Sequence, residues 1–450
     1  MSADVSARSV SRTEGVDKVR ALQRVLYRSA KHDPERRFHA LFDKVARSDI
    51  LERAWSDVAT NGGAPGVDGV SIEAVVADGE PGVRVFLEQL ACELRAGAYR
   101  PQPLRRVRIP KPGRSGETRP LGIPTLRDRV VMTAAKLVLE PIFEADFLPS
   151  SFGFRPKRSA HMAIEAIRVE ANRGADWVLD ADIKACFDSI DRDALLGLVA
   201  RRVSDRAMLK LLGSWLRVGV FEGGVISETG IGTPQGSPIS PLLANIALHR
   251  LDEEWQRHGR RLGMLVRYAD DFVVVCRTRM RAEEAQRRVV TVLAGLGLQL
   301  NPDKTRIVEL TKGAEGFDFL GFHLRKVESW KWKGYWYLHR WPSARAMNSI
   351  RAKVRTGTRR QLVGVDLAVV IQRLNPVLRG WGNYFRDVNS ARQFAQIDSY
   401  VHERLAILAS NKHGRSGRGW ASRYDGVWFR RLGVHTLTGT VRYGSANARR

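Results

Sequence analysis

Two patterns of apolar spacing alternate along the chain and predict a protein of mixed helices and strands. Apolar residues recur at helical intervals through residues 36–60, 83–96 and 127–147. Shorter runs rich in β-branched and aromatic residues, such as 177–183, are typical of buried strands. Residues before about position 34 are polar, and we expect them to be loosely ordered.

The remaining pattern predicts further helices in two groups, divided by a basic, aromatic stretch. We expect helices at about residues 160–172, 192–220, 241–258 and 283–295 in the first group. In the second group we expect them at about residues 343–355, 367–384 and 394–409.

A basic hairpin is predicted between the early helices. Residues 104–111 alternate apolar and polar side chains, and a glycine-rich basic turn leads from them into a second strand that carries Arg119. A hairpin with a cationic tip can close over a phosphate chain. From these residues alone, a solvated hairpin is the favoured interpretation.

Two adjacent acids lie between two strongly apolar runs. Residues 264–266 and 272–275 are apolar, and Asp270 and Asp271 lie between them at a predicted hairpin turn. Aspartate is common in turns. Burial of two carboxylates is costly unless a cation compensates their charge. From this stretch alone, a plain turn and a metal site remain equally open.

A third acid, Asp182, ends the predicted strand 177–183. If this strand neighbours the hairpin, three carboxylates converge and repel one another unless divalent cations neutralise them. Oxygen ligands without His or Cys favour Mg²⁺, with Mn²⁺ as the alternative. Two such ions about 4 Å apart support phosphoryl transfer. The acids therefore favour nucleotidyl transfer over a purely structural role.

The charge balance indicates a polyanionic partner. Lys and Arg total 74 against 48 Asp and Glu, and only 15 of the cations are Lys. Arginine binds phosphates in forked geometry and stacks on bases. Residues 325–361 hold eleven Lys and Arg, a single acid (Glu328) and six Trp or Tyr, which suits nucleic acid, although an aromatic hairpin packed on the core is the alternative.

Cysteine usage and hydropathy indicate the cellular compartment of the protein. Three widely spaced cysteines, Cys92, Cys186 and Cys276, argue against a disulfide framework and a Cys-based zinc site. The sequence shows neither an apolar leader nor a run of membrane-spanning length. We expect a cytoplasmic protein without a membrane partner, in the bacterial cytoplasm or nucleoid rather than in an organelle.

Motifs in a fixed order resemble those of group II intron-encoded proteins, from about residue 60 to residue 390. Residues 268–271, Tyr-Ala-Asp-Asp, resemble the YxDD box of reverse transcriptases, and residues 379–385 resemble the maturase segment, or domain X. Retrons share the palm but generally lack that last segment. The other matching motifs are residues 66–69, 119–125, 153–156, 233–238, 304–305 and 319–322.

The resemblance implies an α+β right-hand polymerase with appended helical parts. We expect an N-terminal extension and helix at 1–60, fingers and palm at 61–325, an α-helical thumb/maturase domain at 326–410 and a basic tail at 411–450 that contacts nucleic acid. Many relatives carry a C-terminal endonuclease domain with Cys pairs, and no cysteine follows Cys276. We therefore expect a form without that domain, whose primer comes from elsewhere.

The resemblance also assigns roles around the nucleotide. Asp182, Asp270 and Asp271 resemble the catalytic metal-binding triad, with the Ile183 carbonyl as a further ligand. Phe187 resembles the aromatic gate that excludes a 2′-hydroxyl. The residues expected at the dNTP phosphates or beside the nucleotide are Lys111, Arg119, Gln235 and Lys304, and a simple surface role is the alternative for Lys304.

Further residues resemble primer or RNA contacts. Phe319, Leu320, Gly321 and Phe322 resemble the primer-side hairpin, for which a packed strand is the alternative. Arg379, Trp381 and Tyr384 belong to the maturase segment. Met132 and Met162 depart from the polar residues usual in the family and lie outside the catalytic set.

The implied function is RNA-directed DNA synthesis together with binding of the parent intron RNA to promote splicing and, in principle, mobility. The implied partners are group II intron RNA, an RNA template with a DNA primer, dNTPs and target DNA. Two alternatives are a splicing cofactor with an idle polymerase, which the intact acids disfavour, and a retron or antiphage reverse transcriptase, which residues 379–385 disfavour. The oligomeric state, the intron and the insertion site carry no sequence signal.

Overall fold

The computed structural model describes residues 17–110, 116, 118–222, 225–227, 236–311, 314–412 and 424–442. Lys111 and Gln235, both predicted to contact the nucleotide, lie outside these ranges, as does much of the basic tail.

Helices and strands alternate through the first two thirds of the chain. The first elements are α1 (Lys18–His32), α2 (Phe42–Val45), α3 (Ser48–Asn61), α4 (Ile72–Val76), α5 (Gly79–Arg95), β1 (Leu104–Pro110), β2 (Thr118–Ile123), α6 (Leu126–Glu144) and α7 (Ala160–Asn172). There follow β3 (Trp177–Asp182), α8 (Cys186–Ser189), α9 (Arg192–Ala200), α10 (Arg206–Arg217), β4 (Val220–Glu222), β5 (Val225–Ser227), α11 (Ser240–Glu254), a π-helical turn (Trp255–Gly259), β6 (Gly263–Tyr268), β7 (Asp271–Cys276) and α12 (Arg279–Ala294).

The last third begins with short strands and ends in helices. It contains β8 (Arg306–Glu309), β9 (Phe317–Phe319), β10 (Phe322–Glu328), β11 (Trp336–Pro342), α13 (Ala344–Gly357), a 3₁₀ turn (Arg360–Leu362), α14 (Leu367–Phe385), α15 (Ala391–Lys412) and α16 (Gly426–Arg431). No helix within the described ranges combines the length and the apolar character needed to cross a membrane.

A four-stranded antiparallel sheet in the order β6-β7-β3-β8 carries the predicted acids. Strand β7 is apolar at consecutive positions because it is covered on both faces. Phe272 and Val274 belong to one hydrophobic core, formed with helices such as α6 and α11, whereas Val273 and Val275 belong to a second core shared with the C-terminal helices. The sheet therefore lies between two hydrophobic cores, one against each of its faces.

The basic hairpin is part of a second sheet, in the order β2-β1-β4-β5. Strands β4 and β5 were not predicted, and the single helix expected at 192–220 is wrong. The helix is broken after α9, and Asp205 caps the start of α10 by accepting bonds from the backbone N–H groups of Ala207 and Met208. Leu104 of β1 then pairs with Val220 of β4, so a few residues beyond α10 serve as a strand.

The N-terminal region also departs from expectation, because residues 18–32 form a regular helix. Asp17 caps α1, and Val19 and Leu26 are buried. Gln23 and Lys31 donate side-chain hydrogen bonds to backbone carbonyls within and just after α6. The segment looked polar because a surface helix needs only a narrow apolar stripe to pack. The continuous helix expected at 36–60 is likewise interrupted, between α2 and α3.

Candidate active site

The three predicted acids meet where β3 ends and the β6–β7 hairpin turns. Asp182 lies opposite Asp271 in the β3–β7 register, and Tyr268 lies opposite Asp271 on the other side. Ala269 and Asp270 form the connection between β6 and β7, and Ala269 adopts a left-handed conformation with φ of 59°. The predicted hairpin is present, and Asp182 is its neighbour.

The surroundings of these carboxylates disfavour their charged forms. Removal from water is the main cause that raises the pKa of Asp271 to about 7, and the nearby Asp270 and Asp182 raise it further. Although the Asp271 side chain reaches the surface of the cleft, protein surrounds most of it. Burial, followed by the charge of Asp182, also raises the pKa of Asp270. Such a group of acids is suited to a bound cation.

Two residues from the segment after α12 hold Asp182. The Lys304 ammonium lies 2.8 Å from the Asp182 Oδ2 atom, and the Asn301 side-chain amide donates to the same oxygen over 3.2 Å. The Asn301 backbone N–H also donates to the Asp182 carbonyl. Lys304, predicted to serve the nucleotide phosphates, therefore contacts a predicted metal ligand, and Asn301 was missed because a lone asparagine carries no sequence signal.

The donor set suits a hard divalent cation, although it is not a closed cage. Carboxylate oxygens are the ligands that Mg²⁺ and Mn²⁺ prefer. In the described part of the chain, no three His, Cys, Asp or Glu side chains are already gathered in a geometry that could hold a metal ion. Burial, together with the neighbouring carboxylates, nevertheless raises the pKa of Asp270 and Asp271, and a bound cation would offset both effects, so the residues fit a cation. Ile183, whose carbonyl is the predicted further ligand, forms an isolated β-bridge with Leu300 directly after β3.

A buried arginine supports the turn from below. The Arg267 side chain is fully buried, and its guanidinium donates to Asp252 Oδ1 over 2.9 Å, to Asn245 Oδ1 over 3.0 Å and to Ser151 Oγ over 2.9 Å. It also donates over 3.0 Å to the carbonyl of Ala269, inside the turn. Burial alone would raise the pKa of Asp252, but Arg267 outweighs this effect and lowers it. This role was not predicted, because no sequence feature distinguishes Arg267 from the many other arginines.

The loop before α7 packs against the turn from the other side. The backbone N–H of Phe152 donates to the Arg267 carbonyl, and the Asn245 side chain donates to the Gly153 carbonyl, both over 2.8 Å. A Cβ atom on Gly153 would lie 2.4 Å from the backbone nitrogen of Ala269. Position 153 therefore requires glycine for close backbone approach.

Gly153→Ala is expected to displace the Tyr268–Asp271 turn and to lower the rate of nucleotide addition on the order of 100-fold, since small displacements of reacting groups are costly. Single-turnover incorporation measures the effect. Gly197→Ala is the matched control, because a Cβ there meets nothing within 4 Å. Equal rates for the two variants would show that the close approach does not position the acids.

Two of the other predicted nucleotide contacts lie on neighbouring elements of the chain. Arg119 is exposed on β2 opposite Ile109, beside a tip that lies outside the described residues. Phe187 lies on the short helix α8 and packs partly against the first core. Met132 is buried and accepts a hydrogen bond from the Ser237 hydroxyl, so this departure from the family pattern is a packing residue.

The predicted primer and RNA residues form an aromatic cluster. Phe319 and Phe322 are buried, which is what the alternative interpretation of a packed strand predicts. The turn that connects them, Leu320–Gly321, reaches the surface. The Tyr384 hydroxyl donates over 2.9 Å to the Leu320 carbonyl, which joins α14 to this turn. Trp381 packs against Phe385 and Phe394, and Arg379 is exposed on the same helix.

Comparison with known protein families shows that the chain contains a reverse transcriptase domain. The reverse transcriptase (RNA-dependent DNA polymerase) family matches residues 109–324, and the maturase-specific domain of group II introns matches residues 347–426. Protein YkfC of Escherichia coli (strain K12) is 35% identical over 347 residues, which cover 68% of this chain and 88% of YkfC. The group II intron-encoded protein LtrA of Lactococcus lactis subsp. cremoris is 39% identical over 217 residues, 48% of this chain and 35% of LtrA.

The chain belongs to the family of group II intron-encoded reverse transcriptases and maturases. Its activity is RNA-directed DNA polymerisation, and its maturase-specific domain supports a function in intron splicing. The chain spans most of YkfC but only about a third of LtrA.

Proposed function

We propose that Asp182, Asp270 and Asp271 hold the divalent cations, Mg²⁺ or alternatively Mn²⁺, at which dNTPs are added to a DNA primer on an RNA template. The observation that carries the proposal is the opposition of Asp182 and Asp271 across β3 and β7 in surroundings that raise the pKa of Asp271 to about 7. When bound, a pair of such ions activates the primer oxygen and stabilises the leaving oxygen. The Ile183 carbonyl is a further proposed ligand.

Several cations of the chain then bind and orient the triphosphate. Arg119 on β2 and Lys111, which follows β1 in the sequence, are the proposed contacts to the phosphates, and Gln235 is a proposed contact to the nucleotide. Lys304, which lies 2.8 Å from Asp182, neutralises that carboxylate while no substrate is bound and pairs with phosphate when the nucleotide enters. Its exposed side chain leaves it free to change partners.

Each proposed domain of the chain is assigned its own nucleic-acid partners. Fingers and palm at 61–325 take the RNA template, the DNA primer and dNTPs, and the thumb/maturase domain at 326–410 takes the intron RNA. Within that domain Arg379 is the exposed candidate for a phosphate contact, while Trp381 and Tyr384 hold the helix in place. The tail at 411–450 adds contacts to RNA or target DNA, and the setting is the bacterial cytoplasm.

Substitution of Phe187 tests the proposed site by its effect on discrimination between dNTPs and rNTPs. Wild type is expected to extend a DNA primer on an RNA template with dNTPs and to reject rNTPs, because a flat ring beneath the sugar leaves no room for a 2′-hydroxyl. Phe187→Ala is expected to raise the relative use of rNTPs on the order of 10- to 100-fold. The measurement is kcat/KM for a matched dNTP and rNTP pair.

Phe187→Tyr is the control that keeps a ring and is expected to retain discrimination. Unchanged discrimination in Phe187→Ala would dismiss the gate, and absence of extension by wild type would dismiss the polymerase site itself.

A further inference from the structure

The turn between β10 and β11 presents aromatic rings to solvent. We call residues 329–335 the hairpin tip. Trp330 is 94% exposed, Tyr335 64% and Trp332 48%. Large rings held in water at one place are uncommon on a protein surface and mark an interaction site.

Polar groups, not the rings, hold the hairpin tip in shape. The Ser329 hydroxyl accepts bonds from the backbone N–H groups of Lys331 and Trp332, over 3.3 and 3.2 Å. The Glu328 carboxylate accepts from the Gly334 N–H over 2.7 Å, and Gly334 has a φ of 87° that favours glycine. The backbone of Tyr335 contributes too, because its carbonyl accepts a hydrogen bond from the Ser329 N–H over 2.8 Å. Backbone and polar side-chain groups thus order the loop, and the rings of Trp330 and Tyr335 are left exposed to solvent.

The hairpin tip lies at the end of the fold remote from the acids. Lys326 of β10 pairs with Asp176, which directly precedes β3, whereas Asp182 lies at the far end of β3. The opposite end of β10, at Phe322, contacts the Tyr384 ring. Because the hairpin tip continues β10 beyond Lys326, it extends away from the edge of the sheet that carries the acids.

We propose that the hairpin tip is an accessory RNA-binding site, at which unpaired bases stack on Trp330, Trp332 and Tyr335. Aromatic side chains bind the faces of unpaired bases, which a duplex hides. Lys331 and Lys333 alternate with the rings and supply charge for the phosphates. The Lys331 ammonium already lies 5.1 Å from the Trp332 ring centroid, on one face of that ring. The proposal rests on the proposed function only for the choice of RNA as the partner.

Charge favours nucleic acid over a protein or lipid partner. Among the described residues of the β10–β11 turn and its flanks, the acid is Glu328, and its carboxylate is engaged with the backbone of Gly334. A net positive surface with interleaved rings is the arrangement that single-stranded nucleic acid selects. A purely apolar patch would instead favour a protein partner.

The test is binding of single-stranded RNA by the full chain, measured by fluorescence anisotropy with a labelled oligoadenylate. A short RNA–DNA template–primer at saturating concentration fills the polymerase cleft beforehand. The variant Trp330→Ala/Trp332→Ala/Tyr335→Ala is expected to bind the oligoadenylate at least about tenfold more weakly, since each stacked base contributes measurably. Binding of an RNA duplex of equal length and extension of the short template–primer are expected to stay at wild-type levels.

Lys331→Gln/Lys333→Gln is the matched charge control at the same place. It is expected to weaken single-stranded and duplex RNA alike and to reduce the slope of log K against log salt by about two. Met280→Ala, at an exposed apolar residue of α12, controls for loss of surface apolar area and is expected to change nothing.

Wild-type affinity of the triple aromatic variant for oligoadenylate would overturn the proposal. Equal weakening for single strand and duplex would also overturn it, because stacking must distinguish them. Loss of binding to anionic vesicles, with RNA binding unchanged, would assign the surface to a membrane instead. Because extension of the short template–primer is read separately, failure of the polymerase assignment is distinguishable from failure of the hairpin tip.

Discussion

The variant Asp270→Asn/Asp271→Asn is expected to lose DNA synthesis by on the order of 1000-fold or more, because it removes two proposed cation ligands that act as a unit. Its fold is expected to survive and, without divalent ions, to gain thermal stability. The fold already disfavours the charge on these carboxylates, as their raised pKa values show, and a neutral amide of the same shape relieves that cost.

Single-turnover incorporation and thermal unfolding in chelator measure the two effects together. Asp303→Asn is a useful control, because it removes an acid near Lys304 without touching the predicted ligands. A double variant that loses both activity and stability would show that the acids are structural. A double variant that retains synthesis would remove the proposed catalytic role.

Arg267→Met is expected to have the largest effect on stability. The substitution leaves Asp252 as an unpaired, fully buried carboxylate, and breaking a buried ion pair costs about 3–5 kcal/mol. It also releases the Ala269 carbonyl, so the Tyr268–Asp271 turn loses its support and synthesis is expected to fall even in the folded fraction. Denaturant unfolding gives the stability, and kcat of the folded protein gives the second effect.

The matched control is Arg287→Met, which breaks an exposed pair with Glu284 that is also short, at 2.7 Å. Exposed pairs contribute about 0–1 kcal/mol, so this variant is expected to remain close to wild type. Arg267→Met/Asp252→Asn should recover part of the lost stability, since it removes the unpaired charge, without recovering the turn contact. Equal unfolding free energies for the Arg267 and Arg287 variants would refute the buried network.

The edge of the sheet that carries the three acids was predictable because its sequence signals are local. The β-branched runs of β6 and β7 and the acids beside them stand together in the sequence, and an apolar strand ending in Asp182 could be matched to them. The resemblance of the motifs to those of a known family then assigned related roles to residues that are distant in the sequence and share no periodic pattern. The β3–β7 register, with Asp182 opposite Asp271, confirms the neighbourhood that the metal hypothesis required.

The supporting parts were not predictable because their partners are distant in the chain. Ser151 and Asn245 have ordinary polar side chains until Arg267 brings them together, and Asn301 acquires meaning only beside Asp182. Pattern reasoning also missed α1, whose apolar stripe is narrow, and β4, which is too short to show alternation. Composition identified the aromatic stretch around 330–341 but could not separate its exposed rings from its packed ones.

The central claim is that this chain copies RNA into DNA. The most direct measurement is extension of a labelled DNA primer annealed to an RNA template, by the purified full chain with Mg²⁺ and dNTPs, resolved to single nucleotides. The predicted result is stepwise extension to the end of the template that stops when a chelator is added and resumes when Mg²⁺ is restored. The absence of extension with either Mg²⁺ or Mn²⁺, or extension that continues unchanged in chelator, would contradict it.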